Sequence, residues 1–577
     1  MDITSLAIGL GGLIPLVEKS LQLWQSIAEA KEFGSEMMRI VAMLAIEYHR
    51  FLSWARFLQS PSPATHPQPP ILPNIGLLFP DDLSSQLQSP IESAAARVVT
   101  ILGEIADIAG KYKLQGTKST SVAKRSSALL PIVGAGQNPN IAGMIKKNRE
   151  WARMLQEQTS LRRRFTFTSR PWGKSDHSAL EKKVGELSYW NDRLEGLLPE
   201  TIRQSVSHQA PLTQILVDEN EALLETLIKA AEHQNEGVRT HATLWKERLE
   251  LTKTNQGDRN IIVEKYRSSV SALGAAGTGS SKCELSLATF QQGQSVPILT
   301  VIEWYPFGGL TWSASDISLA ISRLAQIVHL TSLTVKPGSL RILECVSFVE
   351  DSNSLGLVAR LPVGASSVKH PVSLHCLLSK VPEVVTCFRP PSLEERLQLS
   401  KQLASSIYSF ALVRWCHKDI NSRNVVFFRD TSPSASIILN SPYMTGFSIS
   451  RPDSRTEKSL NKDLEARAIY LHYDLRISDP EERPGYHLKY EMYSLGLLLF
   501  EIGIWNTIDR VVKSSLPPKV FHNKVIDRCT KDLPFFMGSR YRDVVLLCLT
   551  SADDAEESDS LLDTLYWSVV LELAKCQ

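Results

Sequence analysis

Apolar residues recur at three- and four-residue steps over much of the first 230 positions, the spacing that lays one apolar stripe along a helix. Met37, Val41, Leu44, Tyr48 and Phe51 form one stripe, and Leu180, Val184, Leu187, Leu194 and Leu198 form another. Between such segments, SPSPATHPQPP (60–70) and QGTKSTSVAKRSSALLPIVGAGQNPN (115–140) are rich in Pro, Ser and Gly and read as surface loops. This half is predicted to be an all-α helical bundle. A polar helical stretch follows at 231–270, and LGAAGTGSSK (273–282) marks a shift of composition. Beyond it the period changes. CELSLATFQQGQSVPILTVIEWYP (283–306) predicts two strands around a polar turn at Gln291 to Gln294. A helix starts at Ser313 to Asp316, with Ile317, Ile321, Leu324 and Val328 on one face, and two further strands fall near 340–349 and 355–361. The rest reads as mostly helical, so the second half is predicted to be an α+β two-lobed domain.

At 577 residues and 43% hydrophobic content, the chain is long enough for two to four domains. The 63 basic and 61 acidic residues nearly cancel, leaving +2, so no nucleic-acid partner is expected. All eight cysteines lie beyond residue 282, and none is paired at CxxC-type spacing with another cysteine or with a His. Reduced thiols, a cytoplasmic location and no metal site are the expectation. The apolar run Ile3 to Val17 lacks a basic leader and a cleavage site. It is also shorter than the roughly 20 residues that span a bilayer. It reads either as a core helix or as a membrane-seeking segment, for which Leu6, Leu10, Leu13 and Ile14 are the candidate residues.

HKDINSRN (417–424) has the pattern of a phosphoryl-transfer loop, in which an Asp receives a hydroxyl proton and an Asn five positions later holds a metal ion. Several ordered stretches surround it. SLHCLL (373–378) reads as a short helix, and SLEERLQLSKQLASSIYSFALVRW (392–415) as a long one with a Ser392/Glu395 capping box. NVVFF and ASIILN are expected to pair as a hairpin; EMYSLGLLLFEIG (491–503) and YRDVVLLCL (541–549) read as buried helices. Together these stretches resemble the protein-kinase fold, from residue 283 to the end of the chain. The resemblance places Asp419 and Asn424 at catalytic positions, with Asn421 where active kinases carry a Lys. Aligning Phe447 with the Phe of DFG puts Gly446 at the metal-binding Asp position and Ser448 at the Gly position; Thr445, one residue away, offers no charge to a hard cation. Aligning TVIEW with VAIK puts Glu303 near the phosphate-pairing Lys. No Lys occurs between Lys282 and Lys336, and the helix at 315–330 has no Glu. GAAGTG (274–279) has the wrong order for a phosphate loop, lies ahead of the clear strands, and reads as a flexible linker. The resemblance is thus to a degraded, pseudokinase-type domain in which the loop's polar groups cap and brace the backbone. No cofactor is expected; ATP and magnesium belong only to the alternative of a divergent active kinase.

The segment from Gly9 to Ala55, with its Gly-interrupted apolar opening, Phe33-Gly34 and a helix ending RFLSWA, is similar to the start of the HeLo, or prion-inhibition and propagation, domain of fungal incompatibility proteins. Residues 146–199 are similar to that family's closing segments. The organisation expected is a HeLo-like bundle over 1–230, a helical connector and linker over 231–282, and a kinase-like domain over 283–577, its small lobe at 283–364 and large lobe at 365–577. The resemblance implies a signalling protein of the regulated cell-death type, in which the pseudokinase governs a membrane-active bundle. Its implied partners are an upstream activator, further copies of the chain and an anionic membrane, with membrane association on activation. Arg162, Arg163, Arg164, Arg170 and Lys174 could face such a surface or form an ordinary solvated helix end, and Trp151, Trp172 and Trp190 could pack or belt it. A non-enzymatic scaffold is the third reading.

Overall fold

A computed structural model of the chain describes residue 20 and residues 35–59, 81–110, 174–198, 200–204, 206, 209, 212–216, 221–232, 235–253, 256–275, 285–306, 313–381, 389–432, 434, 436–453, 468–477, 484–551 and 558–576. The run Ile3 to Val17, the loops expected at 60–70 and 115–140, the basic cluster Arg162 to Arg170, and Trp151 and Trp172 lie outside these residues, as does the side chain of Lys174. Two compact units divide the chain, Met1–Arg239 and Thr240–Gln577.

The first unit is helical, as its periodicity predicts. Helix α1 (Ser35–Gln59) and helix α2 (Asp81–Gly110) both pack against α3 (Lys174–Glu195), and α4 (Glu221–Ala231) packs against α1. Leu44, Tyr48 and Phe51 on α1, and Leu180, Val184, Leu187 and Leu194 on α3, with Leu198 beyond its end, are buried. Their spacing leaves no alternative face to bury. A charged cluster is embedded in the apolar seam. Arg50 donates to Glu47 at 2.9 Å, to Asp192 at 2.7 Å and to Glu195 at 2.5 Å, while Asn191 donates to Glu47 at 2.9 Å. Burial pushes the Glu47 carboxyl above its ordinary value, and Arg50 pulls it back. Trp190 is half-buried and meets the Tyr189 ring edge-on.

In the second unit, α5 (Glu236–Lys253) and α6 (Gln256–Tyr266) precede strands β1 (Arg267–Ser268) and β2 (Leu273–Ala275). The hairpin read from the sequence is present as β3 (Leu285–Phe290) and β4 (Ile298–Pro306), and the pair read near 340–361 as β5 (Cys345–Asp351) and β6 (Ser354–Arg360). They form a six-stranded sheet in the order β1-β5-β6-β4-β3-β2. Helix α7 (Ala314–Ser332) packs on β5 and begins with a complete Ser313/Asp316 capping box. Two expectations change here. Leu273 to Ala275 is not linker: it pairs antiparallel with Phe290 to Ala288, while the rest of the Gly-rich stretch lies outside the described residues. The stretch 231–282, expected as a connector, supplies both edges of the sheet, since β1 pairs in parallel with β5.

The remainder is mostly helical, with α8 (Leu374–Leu378), α9 (Leu393–Leu412), α10 (Leu488–Ile504), the single turn α11 (Ile508–Val511), α12 (Pro518–Met537) and α13 (Ser539–Thr550). The Ser392/Glu395 box caps α9 as predicted. Helix α10 is buried over nearly its whole length. A third correction concerns the small hairpin. After the short strands β7 (Val372–Ser373) and β8 (Trp415–Cys416), strand β9 (Val425–Phe427) pairs with Tyr443–Met444 and with β7, and ASIILN contributes only the bridge between Ile437 and Arg429.

Candidate functional site: a closed loop cluster

The loop 417–424 is held from below by α10. Glu491, the one acid in that helix's first turn, accepts the backbone N–H groups of His417 at 2.9 Å and Lys418 at 2.8 Å, and the Tyr486 hydroxyl at 2.6 Å. Burial raises the Glu491 carboxyl above its ordinary range while the bonds oppose the rise. Lys418 adopts φ 68°, an uncommon conformation for a side-chain-bearing residue. Its amine is almost wholly buried, and burial, followed by the charges of Arg451 and Arg323, pushes its pKa down to about 7.

Inside the loop the polar side chains spend their hydrogen bonds on one another and on the backbone. Asn421 donates to the Asp419 carboxylate at 2.7 Å, and its carbonyl accepts the N–H groups of Arg423 and Asn424. Asn424 donates to the Asp419 carbonyl at 2.7 Å. Asp419 is 6% exposed and Asn424 1%, so neither presents a free face to solvent. Asn421 thus reaches back to Asp419 within the loop.

Glu303 and Gly446 meet directly across 143 positions of sequence. The Gly446 N–H donates to Glu303 Oε1 at 2.7 Å, Tyr305 donates its hydroxyl to Glu303 Oε2 at 2.7 Å, and the Phe447 N–H donates to that same hydroxyl at 3.2 Å. Glu303 on β4 lies opposite Leu357 of β6, and Val301, on the same face, opposite Ala359. Val301, Glu303, Leu357 and Ala359 of these two strands line a small pocket together with Met444 and Phe447. The Phe447 ring packs at a tilt against His417 at 4.7 Å and Phe410 at 5.8 Å.

Gly446 has φ +90°, a conformation that glycine adopts freely and L side chains do not. A Cβ placed there would lie 2.2 Å from Asn424 Nδ2. The space that a carboxylate at this position needs is thus filled by the loop asparagine. Thr445, considered as a substitute ligand, is buried, and its N–H donates to the Asn424 carbonyl at 2.9 Å. The described residues hold no group of three or more His, Cys, Asp or Glu suited to a metal.

Sequence reasoning located Asp419, Asn424, Glu303 and Gly446 but not Tyr305, Glu491, Lys418 or Tyr486. Glu491 left a signal: an acid in the apolar run EMYSLGLLLFEIG must be hydrogen-bonded if the run is buried. The candidate residues Leu6, Leu10, Leu13 and Ile14 fall outside the described residues, and among the described helices none is long and apolar enough to cross a membrane.

Comparison with protein families divides the chain at similar places. Residues 349–575 match a domain of unknown function, DUF7580, a match that starts within β5 and so leaves Glu303 ahead of it. No curated protein matches the chain. Residues 5–227, which include all the helices α1 to α3 and most of α4, match the family described as prion-inhibition and propagation, and the N-terminal part of the chain is by that match a HeLo domain.

Proposed function

We propose that the second unit is a catalytically silent, kinase-like switch and that the HeLo domain is the membrane-active output it governs, in signalling of the incompatibility or regulated cell-death type. The observation that carries this reading is the hydrogen bond from Gly446 N–H to Glu303. Phosphoryl transfer needs a cation where Glu303 stands and a metal-binding carboxylate where Gly446 stands, because both offset charge on the phosphates. Here the two positions satisfy each other, and a negative group at 303 would repel a nucleotide's phosphates. The sequence order of strands, helix, loop and buried helices supports the kinase-like assignment, and the HeLo match supports the output. A phosphotransfer assay with ATP and magnesium tests the silence: incorporation no greater than that of Asp419→Ala is expected, and magnesium-dependent transfer abolished by that substitution overturns it.

One observation favours the rival reading of a divergent active kinase. Gly274 and Ala275, the start of the Gly-rich stretch, lie in β2 and pair with β3, and a paired set of leading strands is what carries a phosphate-covering loop in a kinase. If that reading holds, nucleotide binds despite Glu303, with Asp419 as base and Asn424 as sole metal ligand. The same assay separates the two.

A further inference from the structure

Helix α10 carries a second buried acid, Glu501, one turn from its C-terminus and with no exposed surface. Its Oε1 accepts the Tyr470 hydroxyl at 2.7 Å and the Ile508 N–H at 2.8 Å. The Tyr470 hydroxyl in turn lies 2.9 Å from Ser422 Oγ, in the 417–424 loop. Ser494, two turns back on α10, donates to the Tyr470 carbonyl at 2.9 Å. One carboxyl thus ties together α10, the loop, the turn at 468–470 and the start of α11.

We propose that Glu501 is a proton-operated clasp that sets how firmly Tyr470 and the loop at 422–424 are held to α10. Among the described residues no cation forms an ion pair with Glu501, while Asp509 on α11 adds a like charge. Burial is the larger cause and Asp509 a smaller one of a carboxyl pKa raised to about 7. The other charged or titratable neighbours are accounted for. Arg423 lies on the Tyr470 side. On α8, burial and then Arg423 push His375 down to about 4, so it stays neutral across the relevant range. Arg510 sits beside His375. Arg396 on α9 donates to the Gly503 carbonyl, and Tyr541 on α13 to the Leu499 carbonyl. His472 and His522 on α12 pack around Tyr493, more than two turns from Glu501 along α10.

Protonated, Glu501 keeps the Tyr470 hydroxyl and the Ile508 N–H on Oε1 and adds no charge to the buried cluster. Ionised, it leaves an uncompensated buried charge. The sign follows from the two pKa values. An opened, hydrated Glu501 ionises near the ordinary 4.5, the clasped one only near 7. Opening therefore becomes easier as pH rises between these values, by up to about tenfold per pH unit, and levels off above the upper one. Acidification tightens the clasp. This proposal takes its biological meaning from the switch reading above but not its chemistry: a chain that proved to be an active kinase would leave the titration intact.

The test is amide hydrogen exchange on the full chain, corrected for intrinsic exchange, at Leu471 and Leu475, whose N–H groups close the turns after Tyr470. In the unmodified chain, protection should fall by up to about tenfold per pH unit up to about pH 7 and then flatten. Glu501→Gln, a neutral isostere, should remain at the high-protection level throughout. Infrared difference spectra should show a protonated carboxyl at about pH 6 that is lost by about pH 8 and is missing from Glu501→Gln. Tyr470→Phe, which removes a donor to the ionised form, should move that midpoint upward. Equal pH profiles in the unmodified chain and Glu501→Gln, no carboxyl band at about pH 6, or an unmoved midpoint in Tyr470→Phe each overturns the proposal.

Discussion

At the scale of single residues, the site is defined by what Glu303 and Gly446 do for each other. Replacing Glu303 with Leu leaves the Gly446 N–H buried and unpaired, a loss of about 1–3 kcal/mol that chemical denaturation should detect; Glu303→Gln, which keeps an acceptor, should cost less. Restoring the missing carboxylate should fail in a telling way. Gly446→Asp must hold a left-handed conformation, worth about 1–2 kcal/mol, and must also displace Asn424, so the variant should be less stable than the unmodified chain and gain no magnesium-dependent phosphotransfer. A stable variant with new transferase activity would show that the asparagine yields easily. Residues 303, 419, 424 and 446 stood out in the sequence through their resemblance to motif positions. Their rewiring was not, since the Glu303–Gly446 contact spans 143 positions and depends on Tyr305, which no motif marks.

At the scale of elements, periodicity was a sound guide wherever a stripe ran for several turns. The capped starts of α7 and α9 were visible as Ser–Asp and Ser–Glu pairs three residues apart. It failed for elements of two or three residues. Strand β2 is Leu-Gly-Ala, with no strand propensity of its own, and exists because β3 offers it hydrogen bonds. The same limit hid Tyr443–Met444 as the partner of β9, while the longer ASIILN drew the pairing. Nor does apolar patterning announce the charged knot between α1 and α3. Arg50→Met should cost about 3–5 kcal/mol near neutral pH, because Glu47 and Glu195 remain buried without their cation. Glu47 already has a raised pKa, and losing Arg50 raises it further. The penalty should therefore shrink as pH falls and Glu47 takes up a proton. Urea unfolding at two pH values checks this; a penalty that grows on acidification would contradict the assignment of Glu47 as the strained acid.

At the scale of the whole molecule, the proposed function joins the N-terminal HeLo match to a second unit read as its switch. The proposed output half makes its own prediction: fragment 1–230 should release dye from anionic vesicles with a steep concentration dependence, since fifteen uncharged residues are too few to span a bilayer alone. Leu10→Asp combined with Leu13→Asp should abolish release while leaving the helical circular dichroism unchanged; equal leakage from the double variant would make the segment an ordinary core helix. The switch half rests on the claim that Glu303, Tyr305 and Asn424 occupy the place of nucleotide and metal. The most direct measurement is thermal unfolding of the full chain with and without ATP and magnesium. A ligand at 100 times its dissociation constant stabilises its site by about 2.7 kcal/mol, a shift easily resolved. The closed site predicts no shift. A magnesium-dependent rise in melting temperature that Asn424→Ala removes would contradict it.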